Sequence, residues 1–150
     1  MKMLYGLKIL PARIALIHTM DCQKLKGEMN MLSLSSVMIG SDRPSVLALF
    51  YEKVFMKPAD LSDDNWYKWR VGNAFMMIGL HSEIKDKARE PQRVILNFES
   101  YDVKKDFERI RNMGATVIAN PYEMGGNWIA TLADPDGNYF QLTLPFEVEN

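Results

Sequence analysis

The sequence is poor in cysteine and histidine, the residues on which redox and metal chemistry most often depend. Its 150 residues contain one cysteine, Cys22, and two histidines, His18 and His81. A single cysteine cannot form an intramolecular disulfide, so nothing indicates an oxidising compartment, and we expect a cytoplasmic location. Cys22 and His18 fall in the first 30 residues, where we expect them to be bystanders rather than nucleophiles or ligands.

The sequence also lacks a charge excess and a long apolar run. Its formal net charge of −1 argues against nucleic acid as a partner, because phosphate binding needs a clustered basic surface. The apolar stretches 3–10 and 14–17 are separated by Pro11 and Arg13. Both are shorter than the roughly 18 residues that span a membrane. Arg13 also interrupts the pattern of a signal peptide. We therefore expect no membrane partner.

A chain that is 47% hydrophobic and 25% charged is typical of a soluble globular protein, with one domain or two small modules sharing a core. Residues 1–30 are locally basic and irregular, which predicts an N-terminal extension. The folded domain is expected over residues 31–150, and Met29 or Met31 is a candidate for its true start.

Hydrophobic periodicity predicts the same order of elements twice, in modules of about residues 32–82 and 92–146. In the first, a strand over 32–39 precedes a helix with Asp42 as N-cap, and strands follow over 65–71 and 74–80. In the second, a strand over 94–99 precedes a helix capped by Asp102, and strands follow over 115–119 and 127–133 and after the last turn. The charged residues 85–90 are predicted to link the modules.

The last turn, Asp134-Pro135-Asp136-Gly137-Asn138, lies between two alternating apolar runs and predicts a β-hairpin. Together with the Phe50-Tyr51 pair on the first helix, it resembles the vicinal oxygen chelate (glyoxalase/bleomycin-resistance) superfamily over about residues 32–146. The resemblance implies an α+β fold in which paired βαβββ modules curl into a half-barrel cup. That superfamily includes isomerases, dioxygenases, epimerases, thiol transferases and drug-binding proteins, so function must be argued from the site.

Four strand positions, matched between the modules, correspond to the metal ligands of metal-dependent relatives. Residues 72–75 and 137–140 share the pattern Gly-Asn-x-Phe, and each first strand is matched by its spacing from Asp42 or Asp102. The four positions are occupied by Ser35, Met76, Ile95 and Gln141. Isoleucine has no donor atom and a thioether is a poor ligand for a hard cation, so we expect neither a metal nor another cofactor.

The resemblance instead implies a cup that binds a small organic molecule. Alternation places Tyr139 and Gln141 on one face of the last strand, and pairing across the hairpin adds Thr131. Apolar, aromatic and neutral polar groups suit a planar or amphipathic ligand. The predicted ligand-binding residues are Ser35, Val37, Trp66, Trp69, Met76, Trp128, Thr131, Tyr139 and Gln141.

No catalytic pair can be recognised in the sequence. The isolated acid–base candidates are His81, Glu99, Tyr122 and Glu123. One hypothesis is a metal-independent binding protein. A second is a glyoxalase-like lyase or isomerase with an atypical metal site, and a third is an interaction module with a filled core. A homodimer is expected because exposed edges of half-barrels invite pairing, but within-chain and between-chain pairing of the modules both remain open.

Overall fold

The computed structural model describes residues 32–145, so the predictions for residues 1–30, Cys22, His18 and the start at Met29 or Met31 lie outside the described residues. All the helices and strands belong to one compact unit that begins at Ser35. None of the helices in this part of the chain is long and apolar enough to cross a membrane.

The first module contains a helix and a four-stranded sheet. Its elements are β1 (Ser36–Ser41), α1 (Pro44–Phe55), β2 (Leu61–Asp63), β3 (Trp66–Val71) and β4 (Ala74–Leu80). The strand order is β1-β4-β3-β2, with β1 and β4 parallel and the other pairs antiparallel. The short strand β2 was not predicted, because all three of its residues are exposed and carry no alternating pattern.

The second module repeats this arrangement. Its elements are β5 (Leu96–Glu99), α2 (Val103–Asn112), β6 (Thr116–Met124), β7 (Asn127–Ala133) and β8 (Tyr139–Thr143), preceded by a 3₁₀ turn at Pro91–Arg93. The strand order is β5-β8-β7-β6, with β5 and β8 parallel. Two register shifts between β6 and β7 add local twist and bend β6. The prediction of paired βαβββ modules forming a half-barrel cup is therefore confirmed.

The two helices begin differently. Asp102 caps α2 as predicted, since its side chain accepts a hydrogen bond from the Lys105 N–H at 3.1 Å. The prediction of Asp42 as the cap of α1 was wrong, because the N-cap is Arg43. There the Ser41 hydroxyl accepts the Arg43 N–H at 2.9 Å and Pro44 opens the helix.

Both helices pack on the same side of the sheets, here called the helix side, and this side holds the core. Trp69, Met76 and Ile78 are buried in that core in the first module, as are Phe140 and Leu142 in the second. The α1 rings extend the core across the modules, since Tyr51 and Phe55 lie 6.4 and 5.3 Å from the ring of Phe98 on β5. The opposite side is called the open side below.

Buried polar contacts join the modules at the Asp134–Asn138 turn. The Tyr51 hydroxyl of α1 donates to Asp134 Oδ2 at 3.0 Å, and the Ser41 hydroxyl donates to Asp136 Oδ2 at 2.6 Å. Asp136 also pairs with Arg43 at 3.3 Å. The sequence left open whether modules pair within one chain or between two chains. In the structure the two modules of one chain pack directly against each other, and the carboxylates of the turn contact the first module.

Candidate functional site

A band of polar side chains crosses the open side of the second sheet. Phe140 and Leu142 of β8 face the helix side, so the alternating residues face the open side. Strand register aligns Gln141 with its neighbours on β5 and β7, and Thr143 lies in the next row. This polar band consists of Asn97, Glu99, Thr131, Gln141 and Thr143.

Two hydroxyls of the polar band differ in their bonding. The Thr131 hydroxyl accepts a hydrogen bond from Gln141 Nε2 at 3.0 Å, which fixes the orientation of the amide. Thr143 is only 3% exposed, and its hydroxyl makes no hydrogen bond to any side chain or backbone group of residues 32–145. Because this hydroxyl is closed to solvent, the polar atoms of the band that a ligand can reach belong to Asn97, Glu99 and Gln141.

The open side of the first sheet is aromatic and basic. Trp66 lies against Gly79, since a Cβ added to that glycine would meet three atoms of the indole ring within 2.8 Å. The Lys68 ammonium lies 3.9 Å from the centre of the Phe75 ring, a cation–π distance. Met77 pairs in register with Lys68 and completes this surface, here called the aromatic platform: Trp66, Lys68, Phe75 and Met77.

Two of the clefts lined by residues of both modules adjoin the edge strand β5. Residues of the edge strands β1 and β5 line an apolar cleft of about 290 Å³, to which Met38, Leu96 and Tyr139 contribute. A second cleft, of about 520 Å³, lies between the end of β5 and the β3–β4 turn. Asn97 and Glu99 line this second cleft and also belong to the polar band.

The predicted ligand-binding residues are divided between the two sides of the sheets. Thr131, Tyr139 and Gln141 share the open side of the second sheet, and Trp66 lies on the open side of the first. Of the other predicted residues, Trp69 and Met76 are core residues, Val37 pairs with Met76, and Trp128 packs under Lys104 of α2. Ser35 precedes β1.

The repeated Gly-Asn-x-Phe pattern does not make Met76 the counterpart of Gln141. In both hairpins the x residue opens the second strand and pairs with the last residue of the first strand, Ala74 with Val71 and Tyr139 with Ala133. The first of these pairs lies on the helix side and the second on the open side, so residues at the same distance from the turn face opposite sides of the two sheets. The second phenylalanine of the pattern, Phe140, is in the core, while Phe75 is on the open side.

Sequence reasoning missed Asn97 and treated Glu99 only as an isolated acid, whereas strand alternation had placed Thr143 on the face of Tyr139 and Gln141 without including it among the predicted ligand-binding residues. The alternation of Leu96 and Phe98 with Asn97 and Glu99 was a usable signal, because it separates a core side from a polar side. Among the other acid–base candidates, Tyr122 pairs with Ile129 on the open side, whereas Glu123 pairs with Trp128 on the helix side. His81 is exposed just after β4.

The donor set of the open side does not fit the divalent metal of metal-dependent relatives. Counting from the observed N-cap, the β1 position equivalent to Ile95 is Ser36, and the open-side residues of β4 are Phe75 and Met77. With Gln141, these positions offer one hydroxyl and one amide oxygen. No group of three His, Cys, Asp or Glu residues suitable for a metal occurs within residues 32–145. Hard cations need more oxygen or imidazole donors than this.

The fold and the open side define an α+β protein with paired βαβββ modules and a polar band in a half-barrel cup. A family model described as a glyoxalase-like domain matches residues 36–143. The chain therefore belongs to the glyoxalase-like domain family, within the vicinal oxygen chelate superfamily. No protein of curated function matches the sequence.

Solved structures agree with this fold. A glyoxalase/bleomycin resistance protein/dioxygenase family enzyme from Burkholderia phytofirmans PsJN is 23% identical, with a TM-score of 0.64 over 77% of this chain and 100% of that chain. A glyoxalase/bleomycin resistance protein from Albidiferax ferrireducens T118 is 19% identical, with a TM-score of 0.62 over 75% and 98%. A glyoxalase-related enzyme from Fulvimarina pelagi is 13% identical, with a TM-score of 0.64 over 77% and 89%. At these identities the likeness concerns the fold alone.

Proposed function

We propose that the protein binds a small organic molecule on the open side, at the polar band, without a metal ion. The observation that carries the proposal is the hydrogen bond from Gln141 Nε2 to the Thr131 hydroxyl at 3.0 Å, which holds a half-buried amide in one orientation beside the exposed Asn97. An amide already held in one orientation loses little side-chain entropy when it exchanges hydrogen bonds with a ligand.

The chemistry of the surroundings supports a planar, amphipathic ligand. The polar band supplies the amides of Asn97 and Gln141, which can donate or accept hydrogen bonds. The aromatic platform offers flat apolar surface from Trp66 and Phe75, and Met77 can adapt its shape. Small-molecule sites typically combine such apolar walls with a few placed polar groups.

The proposal does not include a metal-dependent lyase or isomerase activity, because Ser36, Ile95 and Gln141 do not supply the donors that such chemistry needs. Homodimer formation and a cytoplasmic location stay predictions from the sequence. The interaction module with a filled core is the alternative against which the experiment is designed.

The experiment measures binding of two aromatic probes, 2-naphthamide and 2-naphthol, by thermal shift and by amide NMR. Native-state binding should raise the melting temperature and should move the resonances of Gln141, Thr131 and Thr143. Gln141→Ala should weaken the binding, and Gln92→Ala, at an exposed position in the 3₁₀ turn, is the matched control.

Thr143→Val separates an effect on stability from an effect on binding. Valine has nearly the same volume without the hydroxyl, so the ligand-free variant should be as stable as the wild type or more stable. Its stabilisation by 2-naphthamide should match that of the wild type, because the Thr143 hydroxyl is closed to solvent. If neither probe moves any polar-band resonance, the open side is a filled core and the proposal is refuted.

A further inference from the structure

The cleft beside the end of β5 has an apolar floor and one charged group. Its volume is about 520 Å³, within the usual range for small-molecule sites. Phe55 and Phe98, whose rings meet edge to face at 5.3 Å, line it together with Val71. Asn73 and Asn97 contribute amides, and Glu99 is the only charged residue among those that line the cleft.

We propose that this cleft binds the cationic group of the ligand, so that the molecule recognised is an organic amine with an aromatic body. This inference rests on the proposed function, because Asn97 and Glu99 belong to both the cleft and the polar band. One ligand can therefore place its polar atoms beside Gln141, which pairs with Asn97 in register, and its ammonium beside Glu99.

The Glu99 carboxylate is available to pair with a cation of a ligand. Its side chain is exposed, and among residues 32–145 it takes part in none of the salt bridges and none of the side-chain hydrogen bonds. No lysine or arginine lines the cleft to neutralise it. A carboxylate beside low-dielectric walls attracts a cation more strongly than one on an open surface.

The aromatic residues of the cleft favour an ammonium group over other hydrogen-bond donors. Tyr101 lines the cleft and is 92% exposed, so its ring can cover a bound cation. The rings of Phe55 and Phe98 line the floor of the cleft. Cation–π attraction adds to the ion pair with Glu99. An anionic ligand of the same shape would instead be repelled by the carboxylate.

The test compares three probes that share an indole ring and differ in charge: tryptamine, tryptophol and indole-3-acetate. Amide NMR titration of the full chain should give a dissociation constant for tryptamine about threefold to tenfold lower than for tryptophol, and weaker binding still for indole-3-acetate. The largest shifts should fall on Asn73, Asn97 and Glu99. Raising NaCl to about 0.5 M should reduce the difference.

Glu99→Gln should remove the preference for tryptamine without abolishing binding of tryptophol. Glu123→Gln, an exposed carboxylate on β6, is the matched control and should keep the preference. Equal binding of the three probes, or a preference that survives Glu99→Gln, would overturn the inference while leaving the proposed function intact. If none of the probes moves the polar-band resonances, the proposed function fails together with the inference.

Discussion

Replacing Tyr51 by phenylalanine tests whether the Asp134–Asn138 turn holds the modules together rather than forming part of the cup. Tyr51 is fully buried, and its hydroxyl donates to Asp134 Oδ2 at 3.0 Å. Asn138 Nδ2 is the second donor to that oxygen, at 3.0 Å. The backbone N–H groups of Asp136 and Asn138 donate to Oδ1, both at 2.9 Å. The substitution thus removes one of four donor groups from a carboxylate that is 3% exposed.

The magnitude follows from the charge and burial of the acceptor. A hydrogen bond to a charged group contributes about 1.5–3 kcal/mol, so Tyr51→Phe should lower the free energy of unfolding by roughly that amount at neutral pH. The melting temperature should fall by roughly 2–4 °C for each kcal/mol in a chain of this size. Tyr101→Phe is the matched control, because Tyr101 is 92% exposed and its hydroxyl makes no contact with the turn. It should be nearly neutral.

The pH dependence gives a second, independent readout. Burial raises the pKa of the Asp134 carboxyl above its ordinary value, and hydrogen bonds from Asn138 and Tyr51 oppose that rise. An acid with a raised folded-state pKa binds its proton more tightly when folded, so its contribution to stability falls as pH rises through that pKa. Tyr51→Phe should raise the pKa of Asp134 further. Its cost should therefore be largest at neutral pH and should shrink as pH falls.

Urea denaturation of Tyr51→Phe, Tyr101→Phe and wild type at several pH values between about 7 and 4 measures both effects. A Tyr51→Phe variant that equals wild type at neutral pH, or whose cost grows on acidification, would refute the structural role given to the Tyr51–Asp134 contact.

Three further outcomes are expected. Arg109→Gln should lower the free energy of unfolding by about 1–2 kcal/mol, because Arg109 donates to two carbonyl oxygens in the last turn of α1 at 2.9 and 3.0 Å. Arg111→Gln should change it little, and equal losses for the two variants in urea denaturation would contradict the prediction. Met76→Ala should lower the free energy of unfolding by about 2–5 kcal/mol, because Met76 is a core residue that is 3% exposed. Met38→Ala should lower it much less, because Met38 is 50% exposed, and the reverse order would contradict the assignment of sides. Protein incubated with Ni²⁺, Zn²⁺ or Mn²⁺ and passed through gel filtration should retain less than one ion per chain by elemental analysis; stoichiometric retention would reopen the metal-dependent hypothesis.

The local sequence determined both helices, every strand except β2, and their order. Asp102 could be recognised as a cap because its short carboxylate matches the exposed N–H groups of a helix start. The last hairpin could be recognised because proline, glycine and short polar side chains favour a turn between alternating runs. These signals act within a few residues, so a single chain segment contains all the information they need. The same holds for Gln141, whose side of β8 follows from alternation with Phe140 and Leu142.

Tertiary structure decided which side each strand of the first module presents and what the turn carboxylates do. The repeated Gly-Asn-x-Phe pattern holds the same position beside both turns, yet Met76 lies in the core and Gln141 lies on the open side, because packing against the helices decides which side of each sheet is covered. The partners of Asp134 and Asp136 are Tyr51 and Ser41, more than 80 positions away in the sequence. Hydrogen bonds of this kind depend on how the modules pack, and no pattern within one segment specifies that packing.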